Sequence, residues 1–248
     1  MEKERRQYVN YWFLKADPAW RRLPAPEREA GKMEFSAVCN EFAPKVMLIP
    51  YSTVGIRAEV DLMLWRISYE MEDLQEMTTR LLSTGLGSYM NVAYSYIAMT
   101  KRSTYVDKHV HEGQESKRLT IVPGEAKYLF IYPFWKTREW YLLPKTTRQE
   151  MMDKHIAIGH KYPSVKINTS YSFGLDDSEF VVAFESNRPD DFLDLVMELR
   201  ETEGSRYTLR DTPIFTCVRK NLKDALNDLG GVGAPAPGAN GGLGGPLK

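Results

Sequence analysis

The chain has 248 residues, 43% of them apolar and 27% charged, with 33 basic side chains set against 33 acidic ones. That is the make-up of an ordinary globular protein with one large domain or two small ones. A net charge of zero leaves no electrostatic footprint for nucleic acid, and the longest apolar runs fall far short of a membrane span.

The start, MEKERRQYVNYWF, is charged and then strand-like. It has no apolar h-region and no small-residue cleavage site, so it does not read as a secretory signal. β-Branched and aromatic content predicts strands over 7–16, 45–54 and 58–68. The third leads into an amphipathic helix within 71–90, with Leu74, Met77, Leu81 and Leu82 at helical spacing. A strand over 91–102 completes a first half, residues 1–108. The stretch 109–125, HVHEGQESKRLTIVPGE, is polar and reads as a connecting loop. A second half, 126–222, opens with a strand over 126–135 and a helix from about Lys145 to Tyr162. Pro144 suits the first turn of that helix and Pro163 blocks its continuation. Strands over 165–174 and 176–186 follow, then a helix within 189–207 carrying Phe192, Leu195, Val196 and Leu199, and a strand over 214–220. The Gly/Pro/Ala-rich end, 231–248, is predicted to be disordered.

The two halves resemble each other. An offset of 118 lays Leu62 on Phe180 and Asp73 on Asp191 without a gap, strand on strand and helix on helix. The expected fold class is α+β: two ferredoxin-like halves with mostly antiparallel sheets that close into one dimeric α+β barrel. Cys39 and Cys217 are the only cysteines. Without metal-type spacing or a paired framework they read as reduced thiols in a cytoplasm.

Two segments carry candidate chemistry. IYPFWKTREWYLL, residues 131–143, sets Tyr132, Phe134, Trp135, Trp140 and Tyr141 around Lys136 and Arg138. A core strand explains the rings, and a solvated edge explains the cations. A flat aromatic ligand with carboxylate arms explains both. In the helix TTRQEMMDKHIAIGHKY, His155 shares the apolar stripe with Met151, Met152, Ile158 and Gly159, while His160 falls on a more polar side. A buried histidine must satisfy its ring nitrogens, with hydrogen bonds in a core or with a metal and an orienting carboxylate. Gly159 costs the helix about 1 kcal/mol relative to alanine and leaves room for something to approach.

These residues are recognisable together. YPFWKTREWYLLP, a histidine eleven residues after that proline, and KYPSVKINTSYSFGLDDSEFVVAFE resemble the chlorite dismutase-like superfamily of haem proteins, and within it the coproheme decarboxylases of actinobacterial type. The resemblance covers about residues 5–222 and is strongest from Tyr132 to Arg219. It implies a tetrapyrrole in the second half and a homo-oligomer, usually a ring-shaped pentamer. His155 becomes the proximal iron ligand, Tyr132 the catalytic tyrosine, and Lys136 the basic residue beside propionates. Trp140 falls near the macrocycle, Ser205 at a propionate, and Glu203 where a carboxylate orients the proximal histidine. Ile167 stands where chlorite dismutases carry a distal arginine, which would stabilise a leaving hypochlorite anion as isoleucine cannot. His109 and His111 lie in the loop that supplies a distal histidine in the actinobacterial type; they also read as plain loop histidines.

The implied reaction is hydrogen-peroxide-dependent decarboxylation of two propionates of iron coproporphyrin III (coproheme) to give haem b. Tyr132 gives up an electron and a proton, and the tyrosyl radical takes hydrogen from the propionate β-carbon. Two alternatives stay open: a chlorite dismutase or peroxidase-like haem enzyme, and a haem carrier or sensor without turnover. The tail ending GGLGGPLK reads first as a disordered tail without a partner and only vaguely resembles encapsulin cargo-loading peptides.

Overall fold

The computed structural model describes residues 5–105 and 120–231. The elements run β1 (Tyr8–Ala16), α1 (Pro18–Arg22), α2 (Ala25–Phe42), β2 (Met47–Ser52), β3 (Leu62–Ser68), α3 (Met71–Leu82) and β4 (Met90–Met99) in the first half. The second half runs β5 (Tyr128–Lys136), α4 (Arg138–Leu142), α5 (Lys145–Gly159), β6 (Val165–Tyr171), β7 (Phe180–Ser186), α6 (Pro189–Arg200), β8 (Thr208–Arg210), β9 (Phe215–Arg219) and α7 (Leu222–Asp228). The strands form one antiparallel sheet in the order β7-β6-β4-β1-β3-β2-β9-β5-β8. Pairing of β5 with β7 closes it into a barrel, the expected α+β fold. The halves meet where β2 pairs β9 and β4 pairs β6. Inward-facing Tyr11, Phe13, Trp65, Ile131, Ala183 and Phe215 fill the barrel.

The duplication goes further than the sequence offset. β3 and α3 recur as β7 and α6 at a spacing of 118 (Leu62 to Phe180, Met71 to Pro189), as expected. β1, α1 and α2 also recur, as β5, α4 and α5, at a spacing of 120 (Tyr8 to Tyr128, Pro18 to Arg138, Ala25 to Lys145). The strand registers agree: Trp12 opposes Leu64 in the first half, and Tyr132 opposes Val182 in the second. Trp20 and Pro24 therefore answer Trp140 and Pro144.

Several boundaries differ from expectation. α3 ends at Leu82 because the chain folds back tightly: a Cβ on Gly87 would sit 1.8 Å from the Leu81 carbonyl oxygen. Helix α6 ends at Arg200 and gives way to a 3-10 helix, Glu203–Tyr207. Helix α2 has no counterpart among the predicted elements. Its buried face combines Gly31, Lys32, Phe35, Val38, Cys39 and Phe42, a stripe whose glycine and lysine blur the apolar period. The short α7 follows the last predicted strand and packs Ala225, Leu226 and Leu229 into the core beneath α2.

That first-half core is dense. Under α2 and α3 lie Trp12, Leu14, Leu62 and Leu64, each at most 2% exposed. Phe35 is completely buried among them. Phe35→Ala should therefore cost about 3–5 kcal/mol, as for deletion of a core aromatic ring; urea denaturation of the ligand-free protein measures it.

Candidate functional site

The second half has the same elements around a different interior. On the face of the sheet beneath α5 and α6, Tyr132, Phe134, Phe180 and Val182 stand where Trp12, Leu14, Leu62 and Leu64 stand in the first half. All four are only half-buried. Ile167, from the neighbouring β6, is 50% exposed. The cluster on this face has four buried members among the described residues, Phe130, Phe184, Phe192 and Leu195, which sit under α6. The helix explains the difference. Phe35 of α2 becomes His155 in α5, and Cys39 becomes Gly159, around which a Cβ would find nothing within 4 Å. Where the first half closes, the second leaves an incompletely covered apolar face under a histidine. A separate cleft of about 430 Å³, lined by residues including Pro50, Lys127 and Arg219, lies at the β2–β9 junction away from these residues.

His155 is half-buried, and its side chain forms no hydrogen bond or ion pair with another described residue. Burial, and secondarily the Lys136 ammonium, pushes its imidazole down to about 4. At neutral pH it is uncharged, with a nitrogen lone pair available. Among the described residues no three of His, Cys, Asp and Glu cluster as a metal cage. A metalloporphyrin brings its own ring donors and asks the protein for an axial one, which His155 can supply. The half-exposed aromatic face fits such a ligand.

Lys136 ends β5 on the same side. Its ammonium donates to the Gly204 carbonyl at 2.8 Å and lies 4.6 Å from the centre of the Trp140 ring. Burial lowers it to about 8, opposed by Glu179, so it is still a cation at pH 7. Glu179 is the clasp of this corner: it accepts the Lys136 backbone N–H at 2.8 Å and the Tyr141 hydroxyl. Trp140 is buried, with its ring between Tyr207 at 5.6 Å and Tyr105 at 6.3 Å. Tyr132 lies 5.9 Å from the Phe184 ring in a near-parallel stack. Burial raises its phenol above the ordinary value, with Asp211 adding to the rise and Arg200 opposing it. Arg200 and Asp211 form an ion pair with each other.

The structure thus gathers Tyr132, Lys136, Trp140, His155 and Ile167 around one region. Ser205 and Glu203 lie in the adjoining 3-10 helix. The Ser205 hydroxyl donates to the Arg200 carbonyl at 2.8 Å, and Glu203 makes no hydrogen bond to His155. His109 and His111 lie outside the described residues, as does nearly all of the tail. Sequence reasoning did not single out Arg200, Asp211 or Glu179, and it placed Met151 only on the apolar stripe of its helix. Arg200 ends α6 and Asp211 follows β8, eleven residues apart, and only the fold brings both within electrostatic reach of Tyr132.

A duplicated α+β barrel with one sealed half and one open half, the open one under a free histidine, defines the class of protein. A family model described as chlorite dismutase matches residues 2–220, and the chain belongs to that family. It is 31% identical over 182 residues to the coproheme decarboxylase of Mycolicibacterium smegmatis, covering 72% of this chain and 75% of that one. Among solved structures it is similar to the chlorite dismutase of Candidatus Nitrospira defluvii in complex with imidazole, with a TM-score of 0.81, 24% identity, and 90% and 94% of the two chains covered. It is also similar to a haem-binding protein from Thermus thermophilus, with a TM-score of 0.79, 25% identity and the same coverage. Among the described residues no helix is long and apolar enough to cross a membrane.

Proposed function

We propose that the chain binds iron coproporphyrin III between α5 and the sheet of the second half and converts two of its propionates to vinyl groups with hydrogen peroxide, giving haem b. The observation that carries this is the contrast between the repeats. The first half seals its helix onto its sheet with Trp12 and Phe35, and the second puts Tyr132 and His155 at those positions and leaves the space uncovered. The relationship to a coproheme decarboxylase supports the choice of substrate.

In this reading His155 holds the iron, and the bound iron porphyrin supplies the oxidising equivalents delivered by peroxide. The protein's own residues do the rest. Lys136 exchanges the Gly204 carbonyl for a propionate and fixes it by a charge-assisted hydrogen bond. Tyr132 loses a proton and an electron and then regains a hydrogen atom from the propionate β-carbon. The carboxylate leaves as CO2 and the vinyl forms. Each propionate gives up two electrons, and one peroxide is reduced to two waters. Arg200 and Asp211 set the charge around the Tyr132 hydroxyl. Ser205 belongs to the carboxylate side, Trp140 and Ile167 line the ligand, and His109 or His111 serves as distal base. A cytoplasmic homopentamer is part of the same proposal. Half-exposed Ile167, where chlorite chemistry calls for an arginine, disfavours the chlorite-degrading alternative.

The test is anaerobic addition of iron coproporphyrin III followed by peroxide titration, with mass spectrometry of the porphyrin. Stepwise loss of two formic-acid equivalents supports the reading; binding with bleaching alone overturns it. Lys136→Met is expected to weaken binding by about ten- to a hundredfold, the worth of one hydrogen bond to a charged group. Quenching of tryptophan fluorescence on titration checks this.

A further inference from the structure

The two repeats differ at one more place, where the long helix crosses the turn that follows the next helix. In the first half this crossing is closed by glycines. A Cβ on Gly31 of α2 would lie 2.7 Å from the Leu86 backbone nitrogen, and one on Gly85 would lie 3.1 Å from the Gly31 Cα. Backbone meets backbone, and α2 lies down on the sheet. In the second half Met151 occupies the place of Gly31, and Glu203 and Gly204 occupy those of Gly85 and Leu86. Here a Cβ on Gly204 would meet the Met151 Cβ at 3.9 Å, so a methionine side chain stands at the crossing instead of bare backbone.

Met151 is also the buried residue of α5. The helix meets a core cluster near its far end, where Ile158 and, just beyond, Tyr162 pack partly buried against the residues under α6. The helix is therefore supported at two points. His155 lies between them, four residues after Met151 and three before Ile158, over the uncovered face. A helix propped at both ends keeps its middle off the sheet, and the thickness of the prop sets the clearance.

We propose that Met151 is a positioning residue: it holds α5 off the Glu203–Gly204 turn and so sets the height of His155 above the Tyr132 face. Methionine suits a buried place of this kind because its unbranched thioether adapts to irregular surroundings and has no polar group to satisfy. The consequence for binding rests on the iron-porphyrin reading above; the consequence for helix position does not.

The experiment uses the full chain with Met151→Leu, Met151→Ala and Met151→Gly, iron coproporphyrin III as the probe, and three readouts. These are the dissociation constant, the absorption signature of histidine-bound iron, and the thermal midpoint of ligand-free protein. Met151→Leu, which keeps the volume, should match the native chain. Met151→Ala and Met151→Gly should bind at least tenfold more weakly, with an altered iron–histidine signature, while the ligand-free protein stays folded. Native affinity and spectrum in both small variants overturn the proposal. So does an affinity loss that only follows lost stability with the spectrum unchanged. If Met151→Gly does not fold, Met151→Ala decides. A crystal structure of a ligand-free small variant separates the two readings. α5 displaced toward Gly204 upholds the prop even if the native chain proves not to bind iron porphyrin, and an unmoved α5 sinks it.

Discussion

A Tyr132→Phe variant is expected to bind iron coproporphyrin III as the native chain does and to lose decarboxylation by at least about a hundredfold, the scale of removing one proton-transferring side chain. The change deletes a single oxygen. The ring is held by its stack on Phe184 and by the β5–β7 ladder at Val182, and phenylalanine keeps both. The wall of the site therefore survives, as does His155 on the opposite side. What is lost is the oxidisable O–H that feels the charges of Arg200 and Asp211. Burial holds that proton on the phenol across the whole working pH range, so Tyr132 is neutral at rest and must release proton and electron together. The measurement is single-turnover mass spectrometry of the porphyrin with titrated peroxide, beside an equilibrium titration. Unchanged affinity with turnover gone supports the assigned role. Unchanged turnover would remove Tyr132 from the chemistry, and a carrier would show no turnover in either protein.

Much of the fold could be read from the sequence, because the barrel strands are rich in aromatic and β-branched residues and the α3 and α6 stripes keep a clean period. The offset of 118 was visible for the same reason: β3 with α3 and β7 with α6 carry similar buried faces. The other part of the repeat was not. β1-α1-α2 and β5-α4-α5 start at matching residues at a spacing of 120, yet their buried faces have diverged, Phe35 against His155, Cys39 against Gly159, Gly31 against Met151. Divergence of the buried face hid the repeat, and that divergence is what opens the second half. Single residues with distinctive chemistry, His155 and Tyr132, could be picked out from motif order. Arg200 and Asp211 could not, since only the closed β5–β7 pairing and the turn after α6 bring them to the same phenol.

The second large effect is expected at the helix. His155→Ala should weaken iron porphyrin binding by roughly a hundredfold or more, equivalent to about 2.7 kcal/mol, and should leave the ligand-free fold nearly untouched. The two halves of that statement have one cause. The half-buried His155 side chain forms no hydrogen bond or ion pair with the described residues, so truncation orphans no partner. The loss of stability should be about 1 kcal/mol, the usual scale of a single substitution. Phe35, its counterpart in the sealed half, is fully buried and should cost several times more. The imidazole, held near 4 by burial, is already neutral at pH 7, so binding a metal there displaces no proton and its removal forfeits the whole bond. Excess free imidazole should restore much of the binding. Gly159, one turn further on, has open space around it, and the missing ring leaves a vacancy of its own shape. Titration of the variant with and without imidazole, read by tryptophan quenching and by the absorption of the bound iron, tests all of this. Binding that is lost and then rescued assigns the iron to His155. Binding that survives the substitution unchanged places the iron elsewhere and removes the basis for the site. A collapse of the ligand-free fold would instead return His155 to the role Phe35 plays in the other half.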